Sequence, residues 1–330
     1  MRKRILFVYS RRASFVAIDR EILAERYEVE DLHQPGRVPD VRALTSGLRR
    51  ADLVFGWFAN WHTFFPVTLA RLLRKPSVLV IGGFDTASMP DIGYGHQQGG
   101  LRRHASRFLM RRATRLVTHS NYSLSEIERN TPIPPSSVTV LHLGVPDPFG
   151  GLPAGAKERR ALTVGAVDRG TLVQKGQLPF VEAAQELPDV PFTLAGRWLD
   201  DAVQELRARA GPNVELTGWL SDEDLRDLYR RSAVYVQASR HEGFGLAVAE
   251  AMLAGCVPVV LEVTAMPEVV GDAGVYASSQ RPADVADGIR RALELGPEAS
   301  ARARARILGS FPMEHRREGI LKVVEEALSD

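Results

Sequence analysis

The chain has 330 residues, 45% hydrophobic and 25% charged, which suits two folded domains of about 150 residues each and argues against disorder. One cysteine, Cys256, excludes an intramolecular disulfide framework and a cysteine-built zinc site, and suits a reducing compartment. The net charge of +2 hides an asymmetry: residues 1–150 hold 21 Lys+Arg against 13 Asp+Glu, and residues 151–330 hold 21 against 27. The first half is therefore basic and predicted to meet something anionic.

Along the chain, short β-branched runs alternate with helical patterns, the rhythm of parallel sheets flanked by helices. The opening residues carry only Ile5–Tyr9 as an apolar core, shorter than a signal-peptide core of about 7–15 residues, and read as a first buried strand. Strands are predicted at Arg4–Tyr9, Asp52–Gly56, Ser77–Ile81, Arg115–His119 and Val138–His142. Helices are expected near Phe15–Arg26, Val41–Arg49, Pro66–Leu73 and Gly100–Arg112. Gly144–Ala156, rich in Gly and Pro, reads as a linker. A second series of strands follows at Ala161–Gly165, Val190–Ala195, Val214–Thr217, Ala233–Gln237 and Val257–Leu261. Its helices run near Gln177–Leu187, Leu199–Ala210, Asp222–Arg231, Leu246–Ala254 and Arg281–Leu295, and an amphipathic helix, Glu314–Leu328, ends the chain. No apolar run approaches the ~18–20 residues of a membrane span. Two doubly wound domains facing across a cleft are expected, with ligands at the C-terminal strand ends.

Several nucleotide and metal motifs are missing. Ser10–Ser14 stands where a GxGxxG would follow the first strand, so a dinucleotide cofactor is not expected. No GxxxxGK[ST], HExxH or CxxC occurs. Asp222-Glu223-Asp224 matches a DxD metal motif in form, but Ser221 ahead of three acids reads as a helix N-cap with an acidic first turn.

The informative segment is Ser239–Val260, SRHEGFGLAVAEAMLAGCVPVV. A strand ends, a glycine-containing turn follows, and Leu246–Ala254 forms a helix without a breaker. Free N–H groups at that helix start, with Gly243 and Gly245 permitting close approach, suit a diphosphate. Glu242 stands in the turn. Glu250 follows Leu246 by four residues and shares its face, where a carboxylate can accept hydrogen bonds from two vicinal hydroxyls. A lone acid among Ala, Val, Leu and Met is costly to bury without a purpose.

E-G-F-G-L-x-x-x-E-A-M-x-x-G-x-P-V-V resembles the Glu-x7-Glu signature of retaining GT-B glycosyltransferases, particularly glycosyltransferase family 4, and the likeness covers nearly all of the second half. The resemblance implies a GT-B fold with two Rossmann-like domains, and transfer of a sugar from a nucleotide diphosphate sugar with retention of anomeric configuration. It further implies that Glu242 holds donor-sugar hydroxyls, Glu250 the ribose, and the amides of Phe244, Gly245 and Leu246 the diphosphate. Thr217–Leu220, with Gly218 and Trp219, resembles the turn that cradles the base, and Thr264–Val270 the segment that closes on the sugar. Lys175-Gly176 resembles the family's basic loop. A fixed ammonium there stabilises the departing phosphate without a metal, whereas a lysine is a poor choice as a mere helix N-terminal residue. The arginine that usually follows the strand glycine is absent, Ala166 standing there, and Arg169 is the nearest substitute.

The first half resembles the family loosely. Asp85, ending Ile81–Asp85, matches the acid of a His-Gly-x-Asp loop in which Gly82 replaces the histidine; Asp85 also fits the N-cap of a short turn. Trp57–Phe65 is an aromatic loop whose rings, Trp61 among them, stack on a sugar or fill the core. Arg11 and Arg12 open the first helix and suit a phosphate or acceptor contact. Leu101–Arg115 is a basic amphipathic helix that fits an anionic membrane surface or an ordinary solvated face.

These readings together predict an acceptor-side domain at 1–148, a donor-binding domain at 149–312 and a C-terminal helix at 313–330 that packs back toward the first domain. A cytoplasmic, metal-independent hexosyltransferase without a cofactor is expected, peripheral at the inner face of the membrane. Its partners would be a nucleotide-sugar donor and a glycan or lipid-linked acceptor, with no nucleic acid. The rival readings are a nucleotide-sugar epimerase or phosphorylase, and a non-catalytic nucleotide-sugar-binding subunit.

Overall fold

The computed structural model describes residues 2–152 and 157–330, so the last part of the expected linker, residues 153–156, lies outside the described residues. It separates into two compact units, Met1–Gly144 with Met313–Asp330, and Val145–Pro312.

The first unit is built on six parallel strands in the order β2-β1-β3-β4-β5-β6. They are β1 (Arg4–Tyr9), β2 (Glu28–His33), β3 (Leu53–Trp57), β4 (Ser77–Val80), β5 (Arg115–Thr118) and β6 (Val138–Val140). Residues of β3 and β4 are buried throughout, as apolar runs covered by helices on both faces should be. β2 is absent from the predicted strands for a physical reason. It is an edge strand, Glu-Val-Glu-Asp-Leu-His, with only Leu32 buried. Its acids pair with Arg4, Arg20 and Arg50, a charged edge that discourages pairing with other chains.

The aromatic segment after β3 is not a loop throughout. Trp61–Leu72 is a helix, because Asn60 and Thr63 form a capping box that starts it five residues ahead of Pro66. The C-terminal helix, Met313–Ser329, closes the first unit. Arg316 grips Asp19 through two hydrogen bonds of 2.9 and 2.7 Å and donates a third to the Leu141 carbonyl at 2.7 Å. Both charges are fully buried, and burial raises the Asp19 carboxyl from its ordinary range while Arg316 opposes that rise.

The second unit repeats the plan with β7 (Glu158–Val164), β8 (Phe192–Ala195), β9 (Val214–Gly218), β10 (Ser232–Gln237), β11 (Val257–Leu261) and β12 (Val275–Ala277). Their order is β12-β11-β10-β7-β8-β9, all parallel. Much of the expected linker belongs to this unit: Val145 donates its N–H to Phe311 O at 3.1 Å, and buried Phe149 meets the Tyr229 ring edge at 6.4 Å. An apolar residue in a Gly/Pro-rich stretch has packing to do, which composition alone does not reveal. Chain direction across each sheet reverses at one place, between β1 and β3 in the first unit and between β7 and β10 in the second. In such sheets the crevice beyond the strand ends at that reversal is where ligands bind.

Candidate active site

The loops after β7 and β10 meet at the reversal point of the second sheet, and they carry Lys175 and Glu242. Lys175 ends an irregular turn in which its N–H bonds Thr171 O at 2.7 Å. Gly176 follows with φ of 69°, and a Cβ there would lie 2.3 Å from the Ala238 carbonyl oxygen, so only glycine lets this loop close on the end of β10. That closure brings Lys175 Nζ to 2.6 Å from Glu242 Oε1.

Glu242 is held by more than the lysine. Ser239 Oγ donates to the same Oε1 at 2.9 Å and Gln237 Nε2 approaches it at 3.2 Å. Gln237 Nε2 also reaches Ser239 Oγ at 2.6 Å, and the Tyr235 hydroxyl donates to Gln237 Oε1 at 2.9 Å. Tyr235, Gln237 and Ser239 alternate along one face of the strand and its extension, so a single face supplies the polar ladder. Three donors converge on Oε1, which leaves Oε2 without a donor among the described residues. The peptide of Glu242 is fixed as well. Its N–H reaches Thr264 Oγ1 at 3.3 Å, and its carbonyl accepts from the Ala265 N–H at 3.4 Å. Thr264 has φ of 59°, an uncommon conformation for a β-branched residue and a sign of a constrained loop.

Beyond Glu242 the helix Leu246–Leu253 starts at Gly245, whose φ is 96° and which offers no side-chain cap. Phe244 is buried edge-on against Phe311 at 5.1 Å, anchoring the turn so that the following amides form the uncapped helix start. Gly243 and Leu246 flank it in this turn. Glu250 lies one helical turn on, and the Tyr229 hydroxyl is its partner at 3.5 Å. Burial pushes the Glu250 carboxyl up to about 7, helped by the charge of Asp222 and opposed by the Tyr229 hydrogen bond.

Other candidate residues lie elsewhere. Arg169 forms a bidentate ion pair with Asp201, both bonds 2.9 Å and both side chains exposed, and its guanidinium is not part of the Lys175 and Glu242 cluster. Gly218 and the exposed Trp219 close β9, where Arg197 lies 5.7 Å from the Trp219 ring and Trp198 packs against Gly218. Ser221 does cap the acidic helix Asp222–Arg231, accepting from the Asp224 N–H.

In the first unit Asp85 is 1% exposed, and both its oxygens accept backbone N–H groups: Oδ2 from Ala59 at 2.7 Å and Oδ1 from Gly82 at 2.8 Å. Burial raises this carboxyl to about 7. It sits in the N-terminal turn of Gly83–Asp85 and joins the loop after β3 to the end of β4. Both oxygens are thus engaged by backbone groups inside the first unit. Arg11 and Arg12 follow β1 and Trp61 begins the helix after β3, so all three lie by the reversal point of the first sheet. Arg12 Nε reaches the Tyr9 hydroxyl at 3.3 Å, and Trp61 is half-buried 6.1 Å from Phe64. The sequence pattern gives no role to Gln237, Gln174 or Trp198, and it names Ser239 and Thr264 only as the first residues of their segments. Gln174 donates to the His241 carbonyl, adding to the same turn. The period-2 spacing of Tyr235, Gln237 and Ser239 at a strand end was the available signal.

Two doubly wound sheets of this order, with a lysine and glutamate pair beyond the strand ends, define a GT-B type glycosyltransferase fold. Residues 158–295 match the family model described as glycosyl transferases group 1, and residues 12–144 match the glycosyl transferase 4-like domain. The chain belongs to the group 1, family 4-like glycosyltransferases.

Its relatives include the O-antigen chain mannosyltransferase B of Escherichia coli, 34% identical over 49% of this chain and 47% of that protein. Another is the MMP alpha-(1->4)-mannosyltransferase of Mycolicibacterium hassiacum, 30% identical over 53% and 43%. The chain thus spans about half the length of the curated relatives it matches. Among solved structures, HepE of Anabaena in complex with UDP and glucose is similar with a TM-score of 0.77 at 16% identity, covering 98% of this chain and 100% of that one. Sucrose-phosphate synthase from Thermosynechococcus elongatus gives 0.77 at 15%, covering 99% and 100%. At these identities the structures speak for the fold.

Proposed function

We propose that this chain transfers a hexose from a nucleoside diphosphate sugar to an acceptor hydroxyl, on a glycan or a lipid-linked glycan, with retention and without a metal. The observation that carries the reading is the Lys175 ammonium held 2.6 Å from Glu242 at the reversal point of the second sheet. A hexose is supported by relatives named mannosyltransferases, three of them named for GDP-mannose.

In this reading the anomeric carbon–oxygen bond to the β-phosphate breaks, and Lys175 neutralises the charge that develops on the leaving phosphate. The amides from Phe244 to Ala247 hold the diphosphate, and Glu250 takes the ribose hydroxyls. Glu242 accepts from sugar hydroxyls through Oε2 while its other oxygen stays fixed by Lys175, Ser239 and Gln237. The acceptor hydroxyl attacks from the face the phosphate leaves and hands its proton to that phosphate. Gly218 and Trp219 border the base. Arg11, Arg12 and Trp61 are the acceptor-side candidates. Arg169 reaches the donor only by leaving Asp201, and Asp85 supports its loop.

A panel of UDP-, GDP- and ADP-sugars, GDP-mannose first, identifies the donor by thermal shift, since a bound ligand raises apparent stability with its affinity. Transfer is then measured with a labelled donor, with the product anomer read by NMR and activity compared with and without EDTA. Full activity in Lys175→Ala or Glu242→Ala refutes the residue assignment. An inverted product refutes retention, and loss of activity restored by a divalent cation refutes the metal-free route. Epimerised donor without acceptor, or donor binding without turnover on any acceptor, replaces the reading by one of its rivals.

A further inference from the structure

Lys175 and Glu242 stand on separate loops, one after β7 and one after β10, and irregular segments of this kind are the parts of a fold that open most readily. A third segment joins them. Gln280 lies between β12 and the helix Pro282–Glu294, and its Nε2 donates to Val173 O at 2.9 Å and to Ala238 O at 2.6 Å. Val173 stands two residues before Lys175 in the same turn, and Ala238 leads from β10 to Glu242. One side-chain amide thus ties both loops, with a hydrogen for each. Both acceptors are carbonyl oxygens, so only the NH₂ end of Gln280 can face them.

The Ala238 carbonyl is the meeting point. Gly176 comes so near this oxygen that a Cβ would lie 2.3 Å from it, and Gln280 donates to the same atom. Val173 O accepts the Gly176 N–H at 3.3 Å as well as the Gln280 amide. Further along, the Arg240 N–H donates to Gln174 O at 2.8 Å, and the Gln174 side chain donates to His241 O. The backbone around Gln280 is itself fixed. Ser279 Oγ bonds Asp284, while Arg281 donates from Nε to Asp284 at 2.9 Å and from its N–H to Ser279 Oγ at 3.1 Å. A side chain mounted on a braced helix start can hold two loops in register.

We propose that Gln280 is a positioning residue, which sets the place of Lys175 against Glu242 by clasping their two loops. The inference rests on the reading of Lys175 as the group that meets the leaving phosphate. Misplacing such a group by about 1 Å costs up to about a hundredfold in rate. The effect falls on turnover, because the turn from Phe244 to Ala247 and Glu250 still bind the donor.

Gln280→Leu removes both donor hydrogens, and Gln280→Glu keeps the shape while turning an oxygen toward the two carbonyls. Each is expected to lower kcat by about tenfold to a hundredfold and to leave donor KM near the parent value. In a Lys175→Ala background the same change should cost nothing more, since the group it positions is already gone. Hydrogen exchange reads the clasp without a transfer assay. Peptides covering 168–176 and 238–242 should lose protection in both variants, while the melting temperature and exchange elsewhere stay near the parent. Equal exchange in parent and variants overturns the inference. So does lost protection with unchanged kcat, or a fall in kcat that adds in full to that of Lys175→Ala. Raised exchange throughout the second unit with a lower melting temperature makes Gln280 a residue of general stability and equally overturns its positioning role. A parent that turns over no donor defeats the donor reading, and the exchange arm, which needs no substrate, tells that failure apart from failure of the clasp.

Discussion

Both sheets have six parallel strands, and each places acids just beyond its strand ends, yet these acids end in different situations. In the second unit Glu242 has one oxygen fixed by three donors and the other without a donor among the described residues. In the first unit Asp85 has each oxygen closed by a backbone N–H, and a further acid, Asp19, on the helix Ser14–Arg26 rather than at a strand end, is enclosed with Arg316. One arrangement holds a carboxylate ready for a ligand, and the other uses carboxylates as internal fasteners. What distinguishes them is whether a whole carboxylate oxygen is left without an internal donor among the described residues.

The comparison is broken most severely at Lys175 and Glu242. Lys175→Ala and Glu242→Gln are each expected to lower transfer on the order of 10²–10³-fold while the melting temperature changes little, because the groups removed act on developing charge and on ligand hydroxyls. A steady-state assay beside a thermal melt checks both halves of that statement. A large fall in melting temperature would class Glu242 with the fasteners.

Arg316 should behave in the opposite way. Arg316→Met leaves Asp19 buried without its partner and is expected to cost about 3–5 kcal/mol of stability, read by urea unfolding. Arg316→Met/Asp19→Leu should recover most of that loss, since a well-packed apolar pair replaces a buried ion pair at little cost. Failure of the double variant to recover would mean that the third bond, to Leu141 O, carries the contribution.

Asp85 is a finer test. Asp85→Asn puts an amide NH₂ against one of two N–H donors, Ala59 or Gly82, and should destabilise by about 1–3 kcal/mol for the group left unsatisfied. Transfer by the folded fraction should stay near the parent value. A fall of a hundredfold at unchanged stability would instead make Asp85 a residue that meets substrate.

How much of this was legible in the sequence depends on what kind of physics each residue obeys. The buried strands are mostly continuous apolar runs, so β3, β4, β10 and β11 could be read directly. Edge strand β2 could not, because its acids answer to neighbouring arginines rather than to a core. The glycine turn and helix from Gly243 to Leu253 announced itself by residue type and spacing. Ser239, Gln237 and Thr264 did not, because small polar residues at a strand end are common and acquire meaning only when their hydrogen bonds are seen. Asp85 shows the same limit from the other side: an acid after a Gly-Gly turn looks alike in sequence whether it faces a ligand or caps its own loop. Arg169 was placed by proximity to a missing arginine, but sequence could not reveal that Asp201 holds it in a bidentate pair.

The smallest effect separates the two units by pH. The Glu250 carboxyl is raised from an ordinary value of 4.5 to about 7, and Asp85 from 3.8 to about 7. The folded protein therefore binds these two protons more tightly than the unfolded chain does. Stability should fall as pH rises through the window from the ordinary values to about 7 and level off above it, by up to about 1.4 kcal/mol per pH unit for each group. Glu250→Gln and Asp85→Asn should each remove their own share of that slope. Donor affinity should respond to only one of them. A ribose hydroxyl is accepted by the ionised form of Glu250, so donor KM should rise as pH drops below about 7, by up to about tenfold per unit. Glu250→Gln should flatten that rise and Asp85→Asn leave it intact, because both Asp85 oxygens are engaged by backbone N–H groups inside the first unit. Measuring KM for the donor and urea stability of the parent and both variants across pH 5.5 to 8.5, a range of roughly three units, gives six curves. If Asp85→Asn flattened the KM curve as well, the contrast between ligand carboxylate and fastener would fail, and the first unit would hold a donor contact.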